Sequence, residues 1–367
     1  MQSNKINVLM ISYGRGALYE NKAGVLDRHI EYASHFESLE ILYLTRKKLE
    51  NLNFGKLNVT PVFGLSYLIC LFKSLFKNFK NYQVVTTQDP FLTGILGLFY
   101  KKRFGIKLHV QNHSNFIDNK HWIKENRLRN SILNYISKKI IIPNADRLRV
   151  VNSYEKNLYI KNINIDKNKI DIAPIAVNPI FYKKLIKTHE NEFKRKHKIL
   201  DKKFKIGWAG RFVRLKRLDY LFELVSSISK QLDTQLILAG DNNNSDFELK
   251  KLENKNILTP VYTGQLSQNE LVKFYNSLDV FVLTSEYEGY GMVLAEALTV
   301  GCPVLVWEKS KGSLDIINKN ANAFTFKDKL DFENQINLIK KELYKSERII
   351  KPEAKNIVVE SIFKTIQ

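Results

Sequence analysis

The sequence predicts an α/β protein of two doubly wound domains, each a mostly parallel sheet wrapped by helices, facing each other across a cleft. Three observations lead there. At 367 residues the chain exceeds what one hydrophobic core usually fills. Short β-type runs alternate with helical patterns along nearly its whole length. The stretch from Phe181 to Lys205, dense in Lys, Glu and His, interrupts that alternation once and reads as a linker or surface helix between domains. An apolar fraction of 44% supplies packed interiors, not disorder.

Strands are expected in the first half at Ile6–Ser12, Leu39–Leu44, Val84–Thr87, Lys107–Gln111 and Leu148–Val151. Between them, helical spacing of apolar residues points to Gly24–Phe36, Tyr67–Phe79, Leu92–Phe104 and Arg127–Ile140. The alternation restarts with strands at Lys205–Ala209, Gln235–Ala239, Asn256–Tyr262, Val280–Thr284 and Pro303–Trp307. Asp89 before Pro90 sets a capping side chain at a helix start. Ser267 and Glu270 have the spacing of a capping box. The domains are placed at 1–185 and 204–350, with a linker at 186–203 and a C-terminal helix at 351–367 packing back on the first domain.

Charge is distributed unevenly. Residues 1–200 hold 34 Lys+Arg against 15 Asp+Glu, a balance of +19, whereas 201–367 hold 24 against 22, or +2. A field of that sign draws polyanions or an anionic membrane surface, although a lysine-rich background composition gives the same count. Leu68, Leu71, Phe72, Leu75, Phe76 and Phe79 form one apolar stripe with Lys73, Lys77 and Lys80 off it, a pattern shared by membrane-surface helices and by core helices with solvated lysines. Pro61 and Gly64 interrupt the long uncharged run Leu57 to Phe72, so no membrane span is expected, and no leader is legible at the start. Cys70 and Cys302 lack metal-ligand spacing, which fits a reducing cytoplasm.

The chemistry concentrates after two strands of the second half. Following Val280–Thr284 comes Ser285-Glu-Tyr-Glu-Gly-Tyr-Gly-Met-Val-Leu-Ala-Glu. Gly289 and Gly291 let the backbone turn tightly and approach a ligand, and a helix expected to begin near Tyr290, carrying Met292, offers free amides to a phosphate. Glu288 precedes that helix and Glu296 lies in it. If every residue between them were helical they would stand about 12 Å apart, too far for a glycosidase carboxylate pair but suited to gripping two ends of one extended ligand. After Lys205–Ala209, Gly210 ends the strand and Arg211 and Lys216 follow, two cations at the sheet's carboxyl edge able to neutralise a diphosphate leaving group. Arg214 and Arg217 read as an ordinary basic surface. No Asp-x-Asp occurs, so no metal clamp is expected.

These residues resemble glycosyltransferase family 4, retaining enzymes of the GT-B fold with two Rossmann-like domains. The resemblance rests on Gly210-Arg211 with Lys216, the Glu288/Glu296 pair, Leu238-Ala239-Gly240, Tyr262-Thr263-Gly264, Ser277-Leu278-Asp279-Val280 and Gly301-Cys302-Pro303-Val304. It is fainter in the first half, through Asp89-Pro90, His113, Ala145-Asp146, Ser153 and Pro174 to Asn178. Two departures stand out. Arg217 occupies the place where the family has glycine after the lysine, and the loop Gly14-Arg15-Gly16, a phosphate or acceptor candidate, lacks the usual double glycine.

The resemblance implies a nucleotide diphosphate sugar as co-substrate, with no separate cofactor and no metal. Arg211 and Lys216 would contact its diphosphate, Glu288 the transferred sugar and Glu296 the ribose. Gly240, Gly264 and Leu266 would lie beside the base. His113 would reach the sugar from the first domain, though a lone histidine also fits a structural role, His109 and His121 more so. The acceptor would be a glycan or lipid-linked molecule, UDP-sugar is favoured over GDP-sugar, and the location is cytoplasmic, at the inner face of the membrane. A nucleic-acid partner would explain the charge but not the Glu288/Glu296 loop, and no nucleic-acid module is recognisable; a transferase acting on DNA would explain both.

Overall fold

The structure is a computed structural model that describes residues 6–14, 16, 18–21, 24–113, 116, 119–183, 185–241, 249–256, 258–318, 320–342 and 357–365. Two compact units emerge, residues 1–174 together with 354–367, and residues 175–353.

The first unit holds β1 (Asn7–Gly14), β2 (Ser38–Thr45), β3 (Leu52–Phe54), β4 (Leu57–Phe63), β5 (Val84–Thr87), β6 (Lys107–Gln111), β7 (Arg147–Val150) and β8 (Ile170–Ile172). They form one sheet in the order β3-β4-β2-β1-β5-β6-β7-β8, parallel except for the β3–β4 hairpin. Successive side chains point to opposite faces. Leu9, Ile11, Leu42, Leu44 and Val110 pack beneath the helices Tyr67–Ser74, Leu92–Phe104, Arg127–Ile136 and Ser153–Ile163. Val8, Met10, Ile41 and Val59 pack on the other side, with Val25–Ser34 and the C-terminal helix Ile357–Lys364. Burial on both faces explains why these strands read as nearly continuous apolar runs. Ser361 of the C-terminal helix donates to Asp171 Oδ2 at 2.7 Å and lies 3.1 Å from His109 Nε2.

The second unit holds β9 (Phe204–Ala209), β10 (Thr234–Ala239), β11 (Val261–Gly264), β12 (Val280–Leu283), β13 (Val304–Trp307) and β14 (Ala323–Phe326). All are parallel, in the order β11-β10-β9-β12-β13-β14, over a core that includes Trp208, Phe222, Phe326 and Phe332. The chain winds outward from β9 in one direction and from β12 in the other. The crevice beyond the carboxyl ends of β9 and β12 is therefore the topological switch point, where such sheets bind ligands.

Several expectations need correction. Residues 187–197, expected as a linker or surface helix between domains, do form a helix, Lys187–His197, but it belongs to the second unit, and the division between units falls at Pro174/Ile175. The strand expected at Asn256–Tyr262 is the end of a helix, Leu249–Asn256, and a strand starting only at Val261. The helix expected to run to Phe79 stops at Ser74, and its stripe splits: Leu68, Phe72 and Phe76 face solvent, whereas Phe79 is buried. Four strands, β3, β4, β8 and β14, were not legible.

Candidate active site

Two loops of the second unit meet at its switch point. After β9 the chain passes Gly210 and Arg211, makes a 3-10 turn over Arg214–Lys216, and enters the helix Leu218–Ile228 through Arg217. After β12 it runs from Thr284 to Gly291 and enters the helix Met292–Thr299. One backbone and one side-chain hydrogen bond stitch the loops together. Glu286 N donates to the Leu215 carbonyl at 3.1 Å, and Thr284 Oγ1 donates to the Lys216 carbonyl at 3.0 Å. That stitching brings Lys216 Nζ into an ion pair with Glu288 Oε1, both side chains largely buried. The sequence named both residues; that they touch is new.

Arg217 corrects the reading of it as plain basic surface. Its Nη1 lies 2.7 Å from Glu286 Oε1 and its Nε 3.1 Å from Asp219 Oδ1. The guanidinium also sits over the rings of Trp307 and Tyr220, at 5.6 and 5.7 Å from their centroids. It holds this place at φ 50°, a left-handed conformation natural to the glycine expected there. Arg211 and Arg214 are exposed.

Glu296 lies in the helix Met292–Thr299, 8% exposed, and its Oε2 accepts from the Tyr275 hydroxyl at 3.0 Å. Burial pushes its carboxyl up to about 7, while the Tyr275 hydrogen bond opposes that rise. Because the helix begins only at Met292, the chain from Glu288 to Gly291 is a loop and the wholly helical spacing does not apply. Tyr290 and Gly291 are buried, whereas Gly289 and Met292 are half-buried. Tyr275 was missed, since nothing local in sequence ties it to Glu296.

Glycines line the neighbouring strand ends. Gly210 N donates to the Ala239 carbonyl at 3.0 Å and Gly240 N to the Gly264 carbonyl at 2.9 Å, so the three glycines mark the ends of β9, β10 and β11. A side chain at Gly240 would run into the Gly210 carbonyl, and its φ of 147° disfavours any L residue. Leu266 is half-buried in the turn between Gly264 and the helix Gln268–Asn276, whose capping box is fully formed. Gly312 was also missed: a Cβ there would collide with the Glu288 carbonyl, so this residue sets how closely the 311–313 turn supports the Glu288 loop.

In the first unit, His113 follows β6 and its Nδ1 lies 3.4 Å from Arg149 Nη1. Burial first, then the Arg149 charge, push its pKa well below the usual histidine range. With Nδ1 facing a donor, the neutral ring is assigned its proton on Nε2, which finds no partner among the described residues. Arg149 is itself anchored to the Gln111 side chain at 2.6 Å and the Ala173 carbonyl at 2.9 Å. His109 is structural, between Thr86 Oγ1 at 2.8 Å and Ser361. Gly14 ends β1 and Gly16 N donates to the Tyr43 hydroxyl at 3.1 Å, whereas Arg15 and the His121 side chain lie outside the described residues. Asp89 does not cap the helix as expected, because the helix starts only at Leu92 with Phe91 at its N-cap position; the Asp89 carboxylate instead holds the preceding turn, its Oδ1 accepting from Phe91 N at 2.6 Å and its Oδ2 from Thr93 Oγ1 at 2.9 Å. Among the described residues no three His, Cys, Asp or Glu converge to hold a metal ion.

The chain is similar to known glycosyltransferases in sequence and in fold. The family profile described as Glycosyl transferases group 1 matches residues 189–356, and that of Glycosyltransferase Family 4 matches residues 41–180. An uncharacterized 41.2 kDa protein in the cps region of Klebsiella pneumoniae is 28% identical over 66% of this chain and 65% of its own length. The poly(ribitol-phosphate) α-N-acetylglucosaminyltransferase of Staphylococcus aureus is 25% identical over 61% of this chain and 40% of its own. The chain thus spans roughly two fifths to two thirds of these curated relatives. Among solved structures, Anabaena HepE in complex with UDP-glucose superposes with a TM-score of 0.69 at 13% identity, covering 98% of this chain and 94% of that one, a likeness of fold.

Proposed function

The chain belongs to glycosyltransferase family 4, and from that premise we propose that it transfers a hexose or N-acetylhexosamine from a nucleotide diphosphate sugar to a glycan or lipid-linked acceptor. The product belongs to cell-surface polysaccharide or glycolipid synthesis, a reading supported by a 26% identical relative named capsular polysaccharide biosynthesis glycosyltransferase CapM, of Staphylococcus aureus. A UDP-sugar is favoured over a GDP-sugar, in keeping with the donor bound to HepE. The work takes place on the cytoplasmic side, at the inner face of the membrane.

One observation carries this reading: the Lys216–Glu288 pair at the switch point of the second sheet. A diphosphate arriving there competes for Lys216 with more negative charge than one carboxylate offers. Glu288 is then released to accept hydrogen bonds from sugar hydroxyls. Arg211 and the amides that open the helix Met292–Thr299 add to the phosphate side. Glu296 accepts hydrogen bonds from the ribose hydroxyls. The glycines at the ends of β10 and β11 leave room for the base, and His113 donates from Nε2 to the sugar.

Stabilising the departing diphosphate lowers the barrier without a protein nucleophile. The leaving phosphate helps to deprotonate the acceptor on the same face, which retains the anomeric configuration. No metal takes part. The test is a panel of UDP- and GDP-sugars incubated with membrane extract in excess chelator, with product anomers read by NMR. Transfer from a UDP-sugar with retained configuration supports the reading. Inversion, or transfer that chelator stops, contradicts the mechanism, and turnover of no nucleotide sugar contradicts the function.

A further inference from the structure

Ten of the sixteen large apolar side chains that stand exposed among the described residues belong to one layer of the first unit. That layer comprises the helices Tyr67–Ser74, Leu92–Phe104 and Arg127–Ile136 with the turns beside them. Leu68, Phe72 and Phe76 recur every fourth position and are 72%, 62% and 70% exposed. Leu128, Ile132 and Tyr135 form a second row at 75%, 50% and 63%.

The two rows flank one helix. Both outer helices pack inward on the same face of the sheet. Leu92–Phe104 lies against each side: its Tyr100 hydroxyl donates to the Ser74 carbonyl at 2.7 Å, and its Lys101 reaches the Asn144 carbonyl, past the end of the other helix, at 2.9 Å. Apolar surface gathered in this way marks an interaction site.

Charge identifies the occupant. Residues 65–141 hold thirteen Lys or Arg against three Asp or Glu. Lys73, Lys102, Arg103, Arg127, Arg129 and Lys139 are all exposed on this layer. An anionic bilayer satisfies both components, because apolar side chains enter the headgroup–acyl boundary while cations meet lipid phosphates. A soluble polyanion would leave Phe72 and Phe76 in water, and a second copy of the chain would set cations against cations.

We infer that this helical layer docks the protein on an anionic lipid surface. The docking face deepens the membrane-side location proposed above, yet requires nothing of the transfer chemistry, so the two fail separately. The test floats the full chain with vesicles of phosphatidylcholine, with or without phosphatidylglycerol. Binding is expected to anionic vesicles only, and to weaken as salt shortens the Debye length. Lys73→Gln/Lys77→Gln/Lys80→Gln should weaken it roughly fivefold for each cation removed. Phe72→Ser/Phe76→Ser should weaken it by about tenfold or more. Neither variant should change the melting temperature or the binding of UDP. Equal flotation on neutral and anionic vesicles, or none, overturns the inference. So does retention on heparin that the Phe variant leaves intact, which marks a polyanion site, or a dimer that the Phe variant dissolves, which marks a self-association face.

Discussion

Arg217 and Glu286 form an ion pair, Nη1 to Oε1 at 2.7 Å, that ties the start of one helix to the loop carrying Glu288. Both groups are partly exposed, so the pair contributes under about 1 kcal/mol, and each stacked ring adds about 0.5–1 kcal/mol. Arg217→Ala should therefore lose about 1–2 kcal/mol in urea unfolding. Arg217→Gly loses the same contacts but escapes the cost of φ 50°, and should be the more stable of the two by about 1 kcal/mol. An Ala variant as stable as the Gly variant would show that the backbone is not held left-handed.

Glu296 makes stability depend on pH. Its folded pKa of about 7 lies above the ordinary carboxyl value of 4.5, so between those values the native state binds more protons than the unfolded state. The sign follows: stability conferred by the neutral acid is present below about pH 4.5 and is lost as pH rises toward 7. Glu155, raised to about 8 by burial, acts in the same direction, so the comparison must isolate Glu296. Between pH 5 and pH 8 the wild type should lose about 1–3 kcal/mol relative to Glu296→Gln. A constant difference across that range would refute the assignment.

His113 should stay neutral. Burial and Arg149 hold its pKa well below the usual range, so its ring resonances should not titrate between pH 5 and pH 8. His113→Ala should reduce transfer while leaving nucleotide diphosphate binding unchanged, since that binding is assigned to the second unit. A ring that titrates near pH 6.5 would contradict the donor role given to Nε2.

The second unit was the more legible half, for a physical reason. A switch-point site is built from loops directly after strands, so Gly210, Lys216 and Glu288 are visible as strand-then-glycine and strand-then-charge patterns. What joins those loops is not local. The Arg217–Glu286 pair spans 69 residues and the Tyr275–Glu296 bond spans 21, so neither leaves a spacing to read. Arg217 looked like background because a basic residue in a basic loop carries no local signal. The short strands β3 and β8 were missed because three residues carry almost no periodicity. For the stripe of Tyr67–Ser74, sequence offered both an inward and an outward face, and exposure of Leu68 and Phe72 decides between them.

The central claim is that Lys216 and Glu288 divide one donor between them, and paired measurement of transfer rate and UDP affinity tests it most directly. Lys216→Ala should weaken UDP binding about 10- to 100-fold, the worth of a charge-assisted contact. Glu288→Ala should abolish transfer without weakening UDP binding, because its removal frees Lys216 for the diphosphate and its own role is assigned to the sugar. Unchanged UDP affinity in Lys216→Ala, or a Glu288→Ala enzyme keeping at least half of wild-type transfer, would contradict the account.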